Sequence, residues 1–352
     1  MMPAFIFPQS LFPVKLVYKE AAPWQRPVLT EEKCHEYFEQ SPLAADVTFL
    51  SAPWSTLIDQ IDHGDKEIKK KATSSLLEIS RLNLTNAFTV CQHDRFHTLL
   101  PTLKKAGIST LFAPHMASPE GYTTKDYYFT PSKKSFSKKF SEAGRSHSGL
   151  YIDGIRIETI FLWPVHTGSP SSKKDVWYSY VGSYGTKHIS NIRQKIMEDN
   201  HPKDCICVNR KGWQFDIDVY QEQILGQNIS GFQRYVNRKK ADFYKETLSR
   251  SRFALCPSGT GPGIIRFLEA LGSGAIPIVL SDGMMFPTIK CVNWEECCVK
   301  IAEKDYNTLR DVLSNISVVE ECAMREKCLE AYKLTSGHNY IRNIREYYDG
   351  PS

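Results

Sequence analysis

Apolar runs alternate with charged segments of helical period through the first half of the chain. Residues 46–50 and 86–94 have the apolar character of buried strands, and residues 65–82 between them have the pattern of a charged helix. A short helix over residues 96–107 and a further strand over residues 108–115 follow. Strands that alternate with helices in this way predict parallel βαβ units.

The alternation starts again after residues 166–175, whose Ser, Gly, Pro and Lys content is typical of a linker. The remaining predicted elements are strands over residues 154–165, 176–185, 253–256 and 275–280, and helices over residues 189–199, 264–271, 305–316 and 338–348. We therefore predict two α/β domains, over residues 1–168 and 176–330. A C-terminal helical segment over residues 331–352 is expected to cross back to the first domain.

Composition is that of a globular protein and argues against several function classes. Of the 352 residues, 41% are hydrophobic and 24% are charged, which argues against a long disordered tail. The net charge of +5 is mild and the basic residues are dispersed, so we expect no nucleic-acid partner. The N-terminus lacks the pattern of a signal peptide, and no apolar window approaches ~18 residues. We therefore expect no membrane span and a soluble, cytoplasmic protein.

The ten cysteines do not form a recognisable metal site. No CxxC pair occurs, and the close pairs at residues 205/207 and 297/298 do not have the spacing of zinc half-sites. Several cysteines lie in apolar runs, where a free thiol behaves as a small hydrophobic group. We expect reduced thiols and no metal ion.

A polar segment over residues 119–148 interrupts the first half. Its second part contains five Lys or Arg residues and a single Glu. Such a segment is typical of a solvated loop, and a loop that contacts an acceptor or a phosphate is the alternative.

The densest cluster of glycines follows an apolar strand at residues 253–256. Its sequence, Ser-Gly-Thr-Gly-Pro-Gly at residues 258–263, is too small and flexible for regular structure and predicts a turn. The helix that follows places Arg266 and Glu269 three residues apart, on one face. Ser281 and Asp282 come at the carboxyl end of the next strand, where open α/β sheets bind ligands.

These residue types suit a nucleotide bound through its phosphates and its ribose. Small residues allow backbone N–H groups to approach a diphosphate, whose charge the helix N-terminus and Arg266 can balance. Glu269 can accept hydrogen bonds from two ribose hydroxyls. An Arg266–Glu269 ion pair on an exposed face is the structural alternative. A second site for an anion is the turn that contains Gly182, between a buried strand and a helix.

Other motifs fit this segment less well. No Lys-Ser or Lys-Thr follows the glycines, so the segment is not a P-loop, and the third glycine of a dinucleotide fingerprint is missing. Cys256 is a conceivable nucleophile, but its strand context predicts a buried, inert thiol.

The sequence resembles a known family, the exostosin-type glycosyltransferases. The resemblance rests on residues 255–287, "LCPSGTGPGIIRFLEALGSGAIPIVLSDGMMFP", and on "VNWEECCVKIAEKD" at residues 292–305. "YSYVGSYG" and the following Arg193 look like the first C-terminal strand of that family and its trailing arginine. Two positions depart from the family pattern: Ile264 stands where many members have Ser, and Ser258 where some have Arg.

The resemblance implies a GT-B fold, two Rossmann-like domains with a cleft between them. It implies inverting transfer from a UDP-sugar to a glycan or glycoconjugate acceptor, with a β-glycosidic product and no obligatory metal or other cofactor. Residues 176–330 would bind the nucleotide-sugar and residues 1–168 would lie on the acceptor side. By position, Arg266 matches the diphosphate-binding arginine and Glu269 the ribose-binding glutamate. The other expected donor-binding residues are Ser258, Gly259, Thr260, Gly261, Gly182, Arg193, Ser281 and Asp282.

Inverting transfer requires a general base beside the acceptor hydroxyl. His93 and Asp94, at the carboxyl end of the strand over residues 86–94, are the predicted catalytic residues, with His97 and His115 behind them. A structural role in hydrogen bonding is the alternative for His93 and His115.

Two other functions remain open from the sequence. One is a glycosyltransferase-like binding protein that has lost activity, for which Ile264 is the only indication. The other is a different nucleotide-handling enzyme that uses the same loop. Binding of UDP, and its dependence on Arg266 and Glu269, distinguishes them from a transferase.

Overall fold

The structure is a computed structural model of the chain. It describes residues 5–12, 23–43, 46–115, 145–146, 149–185 and 188–349. The polar segment over residues 119–148, apart from residues 145–146, lies outside the described residues, and so does the start of the N-terminus.

The first sheet belongs to the N-terminal half and is parallel over most of its width. Its strands are β1 (Phe5–Ile6), β2 (Thr48–Leu50), β3 (Ala87–Val90), β4 (Ile108–Ala113), β5 (Arg145–Ser146), β6 (Gly149–Ile152) and β7 (Ile155–Thr159). Their order is β1-β2-β3-β4-β7-β6-β5, and only the last two strands are antiparallel to their neighbours. The central strands β2 and β3 are fully buried, which explains why they appear in the sequence as apolar runs.

Four helices of the N-terminal half have clear local causes. They are α1 (Thr30–Gln40), α2 (Trp54–His63), α3 (Lys66–Ile79) and α4 (Leu100–Ala106). The Asp65 side chain caps α3 by accepting hydrogen bonds from the amides of Glu67 and Ile68. Gly107 ends α4 in the left-handed conformation, with φ of 85°. The chain then enters β4 directly, as the sequence predicts.

The second sheet belongs to the C-terminal half and is entirely parallel. Its strands are β8 (Val176–Gly182), β9 (Ile206–Asn209), β10 (Ser251–Pro257), β11 (Ile276–Leu280) and β12 (Val299–Lys300), in the order β12-β11-β10-β8-β9. The order reverses between β8 and β10, so their carboxyl ends border the crevice where such sheets bind ligands. With two Rossmann-like α/β units, the predicted GT-B fold class is confirmed.

The helices of the C-terminal half include two long ones that the sequence pattern did not predict. The helices are α5 (Ile192–Glu198), α6 (Gly231–Arg250), α7 (Ile265–Gly272), α8 (Leu309–Ser314), α9 (Val318–Thr335) and α10 (His338–Asp349). The unpredicted pair, α6 and α9, are largely solvent-exposed and lack a regular apolar stripe, which explains their absence from a prediction based on periodicity. Each begins with a capping box, at Ser230 and at Ser317.

The last helix, α10, packs against the N-terminal half. The ring of Tyr348 lies 4.7 Å from that of Phe88, and the ring of Tyr347 lies 5.5 Å from that of Phe112. Arg345 donates a hydrogen bond to the carbonyl of Ser41, near the end of α1. The chain therefore ties its C-terminus to the first sheet.

Gly107 offers a test of the α4–β4 junction. A Cβ atom at Gly107 would lie 1.9 Å from the Leu84 carbonyl oxygen, whereas one at Gly154, which has the same φ, would meet nothing within 4 Å. We expect Gly154→Ala to lower the free energy of unfolding by about 1 kcal/mol through backbone strain alone. Gly107→Ala should cost about 1–3 kcal/mol more because the methyl group overlaps the carbonyl. Urea unfolding measures both, and equal losses would contradict this account.

Candidate active site

The glycine turn after β10 packs closely against the loop after β4. A Cβ atom at Gly263 would lie 2.0 Å from the Pro114 carbonyl oxygen, and one at Gly261 would lie 2.6 Å from Nδ1 of His115. Only glycine permits this approach. It brings the carboxyl ends of strands from both sheets to a single place.

The N-terminal side of this meeting point carries a buried acid–imidazole network. His93 lies between two carboxylates: its Nε2 is 3.3 Å from Asp59 Oδ1, and its Nδ1 is 2.9 Å from Asp94 Oδ1. Burial alone would lower the pKa of His93, but the charge of Asp94 and hydrogen bonds to both carboxylates outweigh it and raise that pKa to about 10. The two carboxylates therefore favour the protonated form of His93 at neutral pH, in competition with the Arg95 amide, which approaches Nδ1 at 2.9 Å.

Asp94 connects this network to the glycine turn. Its carboxylate hydrogen bonds with Thr260, in the turn itself. Burial opposes ionisation, but the charge of His93 holds the pKa of Asp94 well below its usual range. The predicted catalytic pair thus lies at the same place as the predicted donor turn.

His115 differs from His93 in its surroundings. Burial lowers the pKa of His115 to about 4, with a smaller opposing effect from Asp94, so its imidazole is neutral at pH 7. Its Nδ1 atom is buried and has no hydrogen-bond partner among the described residues. The site therefore contains one charged imidazole and one neutral imidazole beside the same turn.

On the C-terminal side, Ser258 anchors the turn from below. Its side chain is fully buried, donates to Glu303 and lies 3.0 Å from Ser190 Oγ. The Gly259 amide donates to the Gly261 carbonyl, and the Ile189 amide donates to the Gly259 carbonyl. These contacts fix the backbone of the predicted phosphate-binding segment.

Two guanidinium groups lie beneath the glycine turns. Arg193 donates from Nε to the Ser258 carbonyl at 2.7 Å, and Arg266 donates to the Val181 carbonyl at 2.6 Å. Arg266 also lies over the ring of Tyr180, 4.5 Å from its centroid. Within the part of the chain that the structure describes, neither arginine forms a salt bridge. Their direct partners are carbonyls, aromatic rings and, for Arg266, the Tyr244 hydroxyl.

Glu269 does not pair with Arg266, so the exposed ion pair considered from the sequence is excluded. Its carboxylate is fully buried and accepts hydrogen bonds from the amides of Val165 and His166 and from the Tyr244 hydroxyl. Arg266 Nε donates to the same hydroxyl at 3.2 Å. Tyr244 therefore links Arg266 to Glu269, and Glu269 holds the start of the predicted linker against the second domain.

The remaining predicted residues lie around the same crevice with individual partners. Asp282 accepts a hydrogen bond from the Glu303 amide, and Ser281 donates to the Pro262 carbonyl. Gly182 lies so close to Arg266 that a Cβ atom there would be 3.1 Å from Nη2 of Arg266. Ser281 and Asp282 thus support the turn and the loop after β12.

Of three further residues near the crevice, two were not predicted from the sequence and one was only a secondary candidate. Tyr244 and Arg210 were not predicted because they lie in or near α6, which has no sequence motif. His115 was ranked behind His93 because only the folded chain brings it to Gly261. Cys256 is fully buried and burial raises its pKa to about 12, in agreement with the expected inert thiol. Among the described residues, no group of three His, Cys, Asp or Glu side chains could hold a metal ion.

Comparison with known proteins identifies the segment that contains this crevice. Residues 161–316 match the family model described as the exostosin GT47 domain. The segment with the glycine turn is thus similar to the exostosin GT47 domain. The resemblance predicted from residues 255–287 and 292–305 is confirmed.

Several relatives match part of this chain over part of their own length. A probable glucuronoxylan glucuronosyltransferase of Arabidopsis thaliana is 34% identical over 96 residues, 27% of this chain and 20% of that protein. An exostosin-1 homolog of Caenorhabditis elegans is 29% identical over 176 residues, 49% of this chain and 42% of that protein. A probable β-1,4-xylosyltransferase of Arabidopsis thaliana is 38% identical over 73 residues, 21% of this chain and 18% of that protein. The chain thus spans less than half the length of these relatives.

Two solved structures align with most of this chain at low sequence identity. The N-terminal domain of trehalose-6-phosphate phosphatase from Candida albicans aligns with a TM-score of 0.40 at 11% identity, over 88% of this chain and 71% of that one. The pneumococcal O-GlcNAc transferase GtfA, in complex with UDP and GlcNAc, aligns with a TM-score of 0.36 at 10% identity, over 80% and 59%. No helix among the described residues is both long and apolar enough to cross a membrane.

The two carboxylates around His93 make its titration a test of the network. We expect an NMR titration of His93 to have its midpoint near pH 10, and Asp94→Asn to lower that midpoint because the main opposing charge is lost. The raised pKa stabilises the fold below the unfolded value of about 6.5, and this contribution is lost as pH rises towards 10. Asp62→Asn, which removes the partner of Arg95 instead, should leave the midpoint unchanged. A midpoint near 6.5 in the unaltered protein would contradict the network.

Proposed function

We propose that this chain is an inverting glycosyltransferase that moves a sugar from a UDP-sugar to a hydroxyl of a glycan or glycoconjugate, forming a β-glycosidic bond. The observation that carries the proposal is the pair of guanidinium groups, Arg193 and Arg266, beneath two glycine turns and without carboxylate partners in the described residues. Guanidinium groups that no carboxylate contacts directly suit an anionic ligand. The GT47 match and the names of its relatives support a sugar nucleotide as that ligand.

The donor diphosphate would lie against the turn over residues 258–261. The absence of side chains at Gly259 and Gly261 leaves room for a ligand beside the turn, and Arg193 lies directly below, where a Cβ atom on Gly259 would be 3.0 Å from its Nη2. When UDP departs, the leaving oxygen acquires charge, and Arg193 and Arg266 are placed to stabilise it without rearrangement.

A ribose contact by Glu269 stays a prediction, and it requires that the present hydrogen-bond partners of the carboxylate move away. The carboxylate already accepts hydrogen bonds from two amides and a hydroxyl and is fully buried. Ribose hydroxyls would have to displace the amides of Val165 and His166. In the donor-free protein, the role of Glu269 is to position Tyr244 and, through it, Arg266.

For the general base we favour His115 over His93. The carboxylates around His93 favour its protonated form, which cannot accept a proton, and Asp94 is already engaged by His93 and Thr260. His115 is neutral, with Nδ1 unpartnered among the described residues and close to Gly261. In the proposed step, the acceptor hydroxyl gives its proton to His115 as its oxygen bonds to the anomeric carbon. The bond from that carbon to the UDP oxygen breaks as the new bond forms, and UDP leaves with that electron pair.

Calorimetric titration with UDP tests the donor site. We expect the unaltered protein to bind UDP and Arg193→Gln to weaken binding by at least about tenfold, because a charge-assisted hydrogen bond to phosphate is worth about 1.5–3 kcal/mol. The matched control is Arg250→Gln, which removes an arginine paired with Asp175 on the protein surface. Failure of UDP to bind, or equal weakening by both variants, would reject the donor site.

Turnover tests the base. Hydrolysis and transfer should be measured with UDP-glucuronate, UDP-xylose, UDP-galactose and UDP-N-acetylglucosamine, and then repeated with His115→Gln. We expect kcat to fall by about 10²–10⁴ while the affinity for UDP is retained, since general-base catalysis contributes that much. The acid limb of kcat/KM should have its midpoint near pH 4. His338→Gln, in α10, is the control. Unchanged turnover in His115→Gln would exclude the residue as the base.

A further inference from the structure

Helix α6 presents aromatic side chains to solvent along a single face. Phe232, Tyr235 and Phe243 are 74%, 56% and 42% exposed. Lys239 lies four residues from both Tyr235 and Phe243, so these side chains share one helical face. Large exposed rings in a row are uncommon on a soluble protein and indicate a contact surface.

The same face borders a pocket of about 370 Å³ at the end of β9. Its lining residues combine rings, aliphatic side chains and cations: Val208, Arg210, Tyr235, Val236, Lys239, Lys240 and Phe243. None of these lining residues is acidic. The pocket therefore offers apolar surface and positive charge together.

The cations of the pocket are placed beside its rings. Lys239 Nζ lies 5.7 Å from the centroid of Tyr235, and the Arg210 guanidinium lies 5.8 Å from that of Phe243. Other cations of α6 are already neutralised, such as Arg234 by Glu222. By contrast, Lys239 and Lys240 form no salt bridge with any described residue, so their charge is available to a ligand.

We propose that the face of α6 formed by Phe232, Tyr235, Lys239, Lys240 and Phe243, together with Arg210, binds a uronate-containing glycan chain. Binding of the glycan does not depend on the proposed function, but its role as the acceptor rests on that function. The rings provide flat surfaces for the C–H faces of sugars, and the cations pair with carboxylates. From Phe232 to Phe243 the helix rises about 16 Å, which suits an extended chain rather than one sugar.

The arrangement does not suit a lipid surface. A membrane-binding helix separates its apolar residues from its charged ones onto opposite faces. On α6, Tyr235, Lys239 and Phe243 alternate along one face and border a concave pocket. Rings and charges within the same pocket fit a ligand in which apolar and anionic groups also alternate, as they do in a uronate polymer.

The pocket also lies next to the proposed donor site. The Arg210 amide donates a 2.7 Å hydrogen bond to the Gly182 carbonyl, and Gly182 packs against Arg266. A glycan held on α6 would therefore pass close to the turn that is expected to bind UDP. This proximity is what a surface that guides an acceptor requires.

Binding of oligosaccharides to the full chain tests the proposal without a donor. Hyaluronan and oligogalacturonate decasaccharides, and their carboxyl-reduced forms, would be titrated by microscale thermophoresis at low and high salt. We expect at least one acidic chain to bind, its reduced form to bind more weakly, and salt to weaken the interaction. The double variant Lys239→Gln/Lys240→Gln should raise Kd by about tenfold, the sum of two exposed charge pairs. Tyr235→Ala should also weaken binding.

The control is Lys69→Gln/Lys70→Gln, two exposed lysines of α3 in the other half of the molecule, which should retain full affinity. Binding of neither acidic chain, or equal affinity in both double variants, would overturn the proposal. Two other results would also overturn it if no glycan binds. One is binding to phosphatidylserine vesicles that the α6 double variant abolishes, and the other is dimerisation that the same variant abolishes. UDP affinity measured on the same variants separates the two proposals. A protein that binds the glycan on α6 but no UDP retains this surface and loses the transferase assignment.

Discussion

The approach of Gly263 and Gly261 to Pro114 and His115 is the constraint on which the crevice depends. A single Cβ atom at either glycine would overlap the opposing loop. Because the gap closes only on glycine, the carboxyl ends of β4 and β10 meet, and Asp94 reaches Thr260. The donor turn and the acid–imidazole network are thus parts of one site, although more than 140 residues of sequence separate them.

Unbalanced charge is the second organising feature. His93 has two carboxylates around it, whereas Arg193 and Arg266 have none among the described residues. Holding the buried Arg266 with carbonyls, rings and a hydroxyl, and without a carboxylate, costs stability that an anionic ligand would restore. Functional sites often contain groups that lower the stability of the fold. Here the positive charge of these groups indicates an anionic ligand. Tyr244, which joins Arg266 to Glu269, keeps that arrangement rigid.

Strand prediction succeeded where strands are buried, as in β3, β10 and β11, because continuous apolar runs have few alternative explanations. It failed for α6, because its exposed rings, Phe232, Tyr235 and Phe243, break the apolar period. Among the candidate bases, His93 and His115 both follow strands, and nothing local distinguishes them. The difference arises from Asp59 and Asp94, which fold around one imidazole and leave the other neutral.

The sequence by itself determined the glycine turn over residues 258–263, the helix that carries Arg266 and Glu269, and the resemblance of this segment to the exostosin family, since each depends on residues adjacent in the chain. Only the tertiary structure decided what those side chains contact. Glu269 turned to Tyr244 and the start of the linker rather than to Arg266. Partners of that kind come from distant segments, and their positions follow from sheet order and close packing, which no local pattern encodes.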